Sequence, residues 1–453
     1  MACATPLTPT PKLAAALDYA SRCCLLAHDS KEMCVTDRDR RHALCSLAER
    51  LLEACADPRY EARKAMWTRH QHLEKVEKVP VHVHLPQTGG YSTVWQEIIP
   101  PDSLLFPDGI GRSVELQLRQ KLYKHEMVPD DDVILPVLHV GAVFRTPAEE
   151  MWGVRLERQE AALGYDAGGA YKPVPVITSE MDLERLHYPE VDIDEQATQS
   201  QVEQVLELTS GRLPVIVGAD RIGTSPFEIV VRLRGMDNLL FDFVDSPGLV
   251  HHLMDFVTTG NERFLLELDR RRLFDVPLSW LGCRVHYEEV GAAVLRGSSG
   301  IAPHWAYISA QSAASISPAM FEDFLQPYHD RLARLFQPGR VYFHGCEDLT
   351  QKYRVIRHTP NLRRFHVSPW SDFASLADEI GRDCVIEKHV HPTNNLLLFD
   401  EEQMRTELTE AMRIGGDLIM DLNLSDIHTV GCRPERLTLW AQVAQQVTQE
   451  FAH

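Results

Sequence analysis

The feature that most restricts this chain is a series of short apolar runs that do not alternate with polar residues. They recur from about residue 79: Val79–Leu85, Val133–Leu138, Val174–Ile177, Leu213–Gly218, Leu278–Leu281, Val341–Phe343, Arg364–Val367, Cys384–Ile386 and Asp417–Asp421. A strand with one wet face alternates, whereas a strand covered on both faces has no need to. Helical stretches lie between the runs. Ser317 is suited to cap a helix, Pro318 to its first position, and Glu322 and Asp323 to the positive end of its dipole. Phe321, Phe324, Leu325, Tyr328, Leu332, Leu335 and Phe336 then make one face, up to Pro338-Gly339. A second helix over 402–414 is closed by Gly415-Gly416. Such alternation predicts an α/β fold, as a (β/α)8 barrel of the TIM type or a doubly wound sheet, with the barrel preferred. Residues 10–75 read as helices, with Leu44, Leu47, Leu51 and Leu52 in one stripe that Asp57-Pro58 interrupts. The expected organisation is therefore a helical segment over 1–78 followed by a barrel over 79–453.

Charge and composition narrow the partners. Lys and Arg total 46 against 65 Asp and Glu, a formal net charge of −19. A surface that acidic repels phosphate backbones, and no local basic stripe compensates, so nucleic acid is not an expected partner. No apolar run reaches the ~18 residues of a membrane span, and the N-terminus lacks a basic region followed by an apolar one. The expectation is a cytoplasmic protein without a membrane partner. Of the ten cysteines, Cys3, Cys23, Cys24, Cys34, Cys45 and Cys55 crowd the first 55 residues, and the rest follow residue 282. A long, non-exported chain keeps thiols reduced, so the early six read as small buried hydrophobes and the late ones as candidate ligands.

The sharpest chemical feature is Val341-Tyr342-Phe343-His344-Gly345-Cys346-Glu347-Asp348. On a strand, His344 and Cys346 point the same way. In a barrel they would stand at the C-terminal end, where active sites are built. An imidazole and a thiolate supply two of the three protein ligands of a catalytic zinc site, which keeps one position open. Cys432, in Gly431-Cys432-Arg433-Pro434 after the last strand, is the best third ligand. Glu288, Glu289 and Glu347 are candidates for a fourth.

The segment Ile316-Ser317-Pro318-Ala319-Met320-Phe321-Glu322-Asp323-Phe324-Leu325-Gln326-Pro327-Tyr328 resembles the helix opening of uroporphyrinogen decarboxylase-like proteins. The following order, a strand ending in His-x-Cys, strands near 365 and 386, and a late Gly-Cys loop, is similar too. The resemblance covers roughly residues 210–440. Within that superfamily, His-x-Cys with a distant Cys resembles the zinc motif of cobamide-dependent methyltransferases, including methylcobamide:coenzyme M methyltransferases. The resemblance implies zinc on His344, Cys346 and Cys432, a methylcobamide carried by a separate corrinoid protein, and a small thiol or methylated substrate. Relatives often form dimers, so a homodimer is compatible. The Arg-Gln-Ala-Gly-Arg-Tyr signature of true uroporphyrinogen decarboxylases is missing, which argues against porphyrinogen decarboxylation, because those arginines would pair with substrate carboxylates. Asp426-Ile427-His428-Thr429-Val430-Gly431 matches a short cobalamin-binding pattern, but only 22 residues follow it, too few for the rest of such a domain.

Further side chains complete the expected site. His391, His428 and Asp421 are the candidate catalytic groups, and Asn423 lies beside Asp421 on the last strand. Asp220, Arg221, His389 and Trp370 are the candidate substrate-binding residues, with a surface ion pair the blander role for Arg221. Glu387, His389 and His391 share a strand face, and Asp372 follows Trp370. The competing class is a zinc hydrolase of the amidohydrolase type. His82, His84, His344, His366 and Asp421 would serve it, but it lacks a clearly placed bridging Lys and leaves both cysteines unused. A third class is a silent binding protein that keeps a structural zinc.

Overall fold

The computed structural model describes residues 36–85, 93–160, 171–219, 221–273, 301, 304–337 and 340–452. Cys3, Cys23, Cys24, Cys34, Asp220, Glu288, Glu289 and the expected strand at 278–281 lie outside the described residues.

Ten strands are described: β1 Val81–Val83, β2 Leu138–Gly141, β3 Glu157–Glu160, β4 Tyr171–Val174, β5 Val215–Gly218, β6 Ala306–Ser309, β7 Val341–His344, β8 Leu362–Val367, β9 Val385–His389 and β10 Met420–Leu424. Six form one all-parallel sheet in the order β1-β10-β9-β8-β7-β6. Every residue of β9 and β10 is buried, so the unalternated runs there are strands covered on both faces. β2 and β5 make a separate parallel pair, and β3 and β4 an antiparallel one.

The fold is thus α/β with a mainly parallel sheet, and the eight parallel strands do not form one continuous ladder. Side chains occupy the edges where the ladder would run on. At β1 the Asp130 and Asp131 carboxylates accept from the backbone N–H groups of Val83 (2.7 Å) and Val81 (2.9 Å). At β6 the Thr224 hydroxyl donates to the Tyr307 carbonyl, and the Ser225 hydroxyl lies 2.9 Å from that of Ser309. Two expected strands also shift. The run at 133–138 yields only β2 at its far end, and the run at 174–177 ends the antiparallel β4 instead of joining the main sheet.

Of the expected N-terminal segment, the described part from residue 36 contains the helices Asp37–Cys55 and Arg59–Gln71, on either side of Asp57-Pro58. Leu44 and Leu51 are buried while Leu52 is exposed. These helices share an apolar cluster with Val114, Leu118, Leu122, β2 and β5, so they pack into the α/β body. Ser317 caps its helix as expected, its hydroxyl accepting from the Met320 N–H at 3.2 Å. That helix stops at Phe324, and a second runs from Gln326 to Leu335. The reason is Pro327, which has no N–H to give and crowds the preceding turn. The later helix, Glu401–Gly415, has Asp400 as its cap and ends at the two glycines.

His329, on the helix Gln326–Leu335, is fully buried between Phe321 and Phe343, and neither ring nitrogen has a partner. Burial pushes its pKa down to about 3. Below pH ~6.5 the unfolded chain therefore binds a proton that the folded chain refuses, and stability falls as pH falls. His329→Leu should flatten the loss of urea stability between pH 7 and 5, by up to about 1.4 kcal/mol per pH unit. An unchanged slope would contradict this account.

Candidate active site

The parallel register assembles the site. His366 on β8 pairs with Glu387 on β9, which pairs with Asp421 on β10. Two residues further on, His389 pairs with Asn423, and Asn423 with His82 on β1. Because alternate residues of a strand share a face, Arg364 lies on the same side as His366, and Tyr342 as His344.

Arg364 ties the lower part together. Its Nε donates to Glu387 Oε2 at 2.5 Å, and its two terminal nitrogens donate to Asp421 at 2.7 and 2.6 Å. All three side chains are completely buried. Burial alone would raise the pKa of Glu387, but Arg364 and the adjacent His366 and His389 outweigh it and hold the carboxyl well below its usual range. Asp421 likewise stays ionised against its burial, through Arg364 and His70. His70 reaches it from the helix Arg59–Gln71, with Nε2 2.9 Å from Asp421 Oδ2. Asn423 Nδ2 donates to Asp421 at 2.5 Å.

Above this layer the Tyr342 hydroxyl donates to Glu387 Oε1 at 2.8 Å and lies 2.8 Å from His344 Nδ1 and 3.2 Å from His366 Nδ1. His389 Nε2 is 2.5 Å from Glu387 Oε1, and its Nδ1 is 2.5 Å from the Ser425 hydroxyl. Three imidazoles line up, with ring centres 4.3 Å apart for His344–His366 and 3.9 Å for His366–His389. Burial lowers the His366 pKa to about 3, and burial with the neighbouring His366 lowers that of His344. Both rings are neutral at pH 7.

The expected pair of ligands meets. Cys346 Sγ lies 3.3 Å from His344 Nε2, 3.6 Å from Asp426 Oδ2, and accepts from Gln311 Nε2 at 3.1 Å. Burial, and then the Asp426 charge, push the Cys346 thiol far above its usual pKa, so it is protonated unless a cation joins it. Gly345 between them is closely approached: a Cβ there would meet the ends of the Glu347 and Leu349 side chains at 2.8 and 2.7 Å, so both would have to shift for a larger residue. Burial raises the Glu347 pKa to about 7, and neither of its carboxyl oxygens has a hydrogen-bond partner.

A cavity of about 260 Å³ opens over this layer, lined by Cys346, His366, Trp370, His391, Asp426 and His428 among others. Trp370 is 62% exposed at its rim, and its ring centre is 4.9 Å from that of His391. Three expected residues, His391, His428 and Trp370, therefore line one space with Cys346. His389 and Asp421 are buried beneath it and do not line it. Arg221 stands apart: its guanidinium covers Phe144 at 4.5 Å and donates to the Thr146 carbonyl at 2.8 Å. Cys432 is exposed on the turn after β10, where its N–H donates to Glu97 at 2.7 Å. Its sulfur does not join His344 and Cys346 in any group of metal donors within 4.8 Å of one another among the described residues. Asp426 stands beside Cys346 instead, with its backbone in the left-handed region at φ 55°.

Sequence reasoning left Arg364, Tyr342, His70 and Ser425 without a role, and used Asp426 only in a discounted pattern. The available signal was an arginine and a histidine alternating within the apolar run at 364–367. The hydrolase set does not assemble at the cavity. His82 Nδ1 lies 3.1 Å from Asn423 Oδ1, and the nearby Asp130 and Asp132 carboxylates face the Lys124 ammonium at 2.6 and 3.6 Å.

No protein-family model matches this chain, and no curated protein matches it. Among solved structures it is similar to a methyltransferase from Methanosarcina mazei, at 15% identity and a TM-score of 0.52, over 86% of this chain and 98% of the other. At that identity the likeness concerns the fold. Among the described residues, no helix is long and apolar enough to cross a membrane.

Arg364→Leu leaves two carboxylates buried without their counter-charge, which should cost about 3–5 kcal/mol at pH 7. The deficit should shrink as pH falls from 7 to 5, because protonation relieves the buried carboxylates of the variant while the wild type keeps its ion pairs. Urea unfolding at pH 7 and 5 measures both. A deficit that grows at pH 5 would refute the assignment.

Proposed function

We propose that this chain is a zinc-dependent methyltransferase that moves a methyl group between a corrinoid on a separate protein and a small thiol or methylated substrate. The observation that carries the reading is the His344–Cys346 pair at the edge of the cavity. A tetrahedral zinc, with bonds of about 2.0–2.1 Å to nitrogen and 2.3 Å to sulfur, sets such donors roughly 3.5 Å apart. The 3.3 Å between His344 Nε2 and Cys346 Sγ fits that edge, as does the 3.6 Å from Sγ to Asp426 Oδ2. His344 and Cys346 would hold the ion, and Asp426, beside the sulfur, would become the third donor only on a shift of its loop, since the three donors do not all lie within 4.8 Å of one another. Cys432, the third ligand expected from the sequence, would replace it if the loop after β10 closed. Bound there, zinc lowers the pKa of a thiol or hydroxyl ligand and so provides a nucleophile at neutral pH.

The surrounding residues have separate tasks. Tyr342 orients the His344 ring through Nδ1 and so leaves Nε2 facing the sulfur. Gln311 holds the Cys346 sulfur from the other side. Glu347, with its pKa near 7, is suited to exchange a proton beside the pair. Trp370, Pro392, Leu396 and Leu397 line the cavity with apolar surface that excludes water from a small methylated group, while His391 and His428 offer it polar contacts.

The fold and the order of elements support the same reading. The likeness to a methyltransferase extends over most of both chains. The eight parallel strands, β1, β2 and β5 to β10, are proposed to form a barrel with interrupted ladders, His344 standing at a C-terminal strand end. The corrinoid protein and a second copy of this chain are the proposed partners, and the cytoplasm the proposed location.

Anaerobic incubation with methylcobalamin and a panel of thiols tests the reading through loss of the methyl–cobalt absorbance. Changes outside a metal's ligand set already cost roughly 10–100-fold, so Cys346→Ala should lower the rate by more than about 100-fold while circular dichroism stays as in wild type. Full activity in that variant, or in metal-stripped protein, would exclude the mechanism.

A further inference from the structure

Behind the His366 ring lies a second set of metal donors that the thiolate reading does not use. His366, Glu387 and His389 each place one donor atom within 4.8 Å of the others, and all three are buried. We propose that these three residues form a second, thiolate-free site for a divalent cation.

Two independent observations carry this. Two of the three donors already have the outer partner that metal ligands require. The Ser425 hydroxyl lies 2.5 Å from His389 Nδ1, and Arg364 holds Glu387 through Oε2. Oε1 accepts from the Tyr342 hydroxyl at 2.8 Å and faces the histidines, 2.5 Å from His389 Nε2 and 3.7 Å from His366 Nδ1. A tetrahedral ion with bonds of about 2.0–2.2 Å sets its donors roughly 3.4 Å apart, so the two spacings bracket what it needs.

The second observation is charge. Glu387 and Asp421 are two buried carboxylates facing the single guanidinium of Arg364. With His389 neutral, one negative charge remains in a place closed to water, where an unbalanced ion is costly. A divalent cation on Glu387 Oε1 offsets it, and the neutral His366 is in the form that binds metal. In the other buried group of this kind, His82 with Asp130 and Asp132, the Lys124 ammonium already contacts both carboxylates that would have to serve as ligands, at 2.6 and 3.6 Å. Two imidazoles and a carboxylate suit Zn2+, Fe2+ or Co2+ over Mg2+ or Ca2+. Access runs through the cavity, which the His366 ring lines.

Cobalt(II) alone is the probe, added to full-length protein stripped by a chelator. The double variant H344A/C346S removes the proposed zinc ligands at the cavity. It should still bind one Co2+ per chain, with ligand-field bands but no near-ultraviolet sulfur-to-cobalt charge transfer. Adding His366→Gln, at the cavity-facing edge, should weaken that binding at least tenfold. If this triple variant fails to fold, the stoichiometry of the double variant decides. Retention of less than one tenth of an equivalent by a folded double variant would overturn the second site and leave the thiolate site standing. Wild-type protein that binds a single Co2+ without a charge-transfer band would do the reverse, since the thiolate site fails while this one holds.

Discussion

The interaction on which the rest depends is the grip of Arg364 on Glu387 and Asp421. A guanidinium with no exposure to water persists only if carboxylates meet nearly all of its donors. Those carboxylates come from the two neighbouring strands, so the ion pairs lock the register of β8, β9 and β10. A slip by one residue would turn each charge outward into an apolar layer of helices, where nothing could pair with it. The arginine thus determines which side chains stand at the cavity floor. It also fastens the N-terminal helices to the sheet, because Asp421 takes His70 on its remaining side.

A gradient of polarity runs up the inside of the sheet from that pivot. The Arg364 guanidinium with its two carboxylates lies lowest, then stacked imidazoles, then a thiol and two carboxylates at the open end. The groups near the cavity are the incompletely satisfied ones. Glu347 has no partner for either oxygen, and the Cys346 thiol is held protonated by its burial and by Asp426. The upper layer, with a thiol and a carboxyl group that lack full hydrogen-bond partners beside an open cavity, is the one a small substrate can reach. That access is why the proposed methyl transfer is placed at the cavity and not among the buried ion pairs.

Much of this was legible in the residue order. His344 and Cys346 are two apart after an apolar run, and strand geometry alone makes them neighbours. His391, His428 and Trp370 follow strands in the order expected of residues around one opening, and they share a cavity. Asp421 and His389 were legible as inward-facing but not as buried, since depth depends on how far a strand extends below its last turn. Cys432 shows the limit most clearly. Its distance along the chain is compatible with return to the site, yet the turn after β10 places Asp426 beside the sulfur and holds Cys432 outside by its bond to Glu97.

The sequence by itself determined the element types, the parallel character of the main sheet and the meeting of His344 with Cys346. Periodicity and strand alternation are local properties, and local residues suffice to set them. Only the tertiary structure decided where the ladders break, which loop residue reaches the thiol, and that Arg364, Tyr342 and His70 belong to one network. These depend on strand register and on contacts between residues as far apart as His70 and Asp421, 351 positions along the chain. No window of sequence contains both ends of such a contact, and burial gives the paired charges a weight that their separate positions in the chain do not reveal.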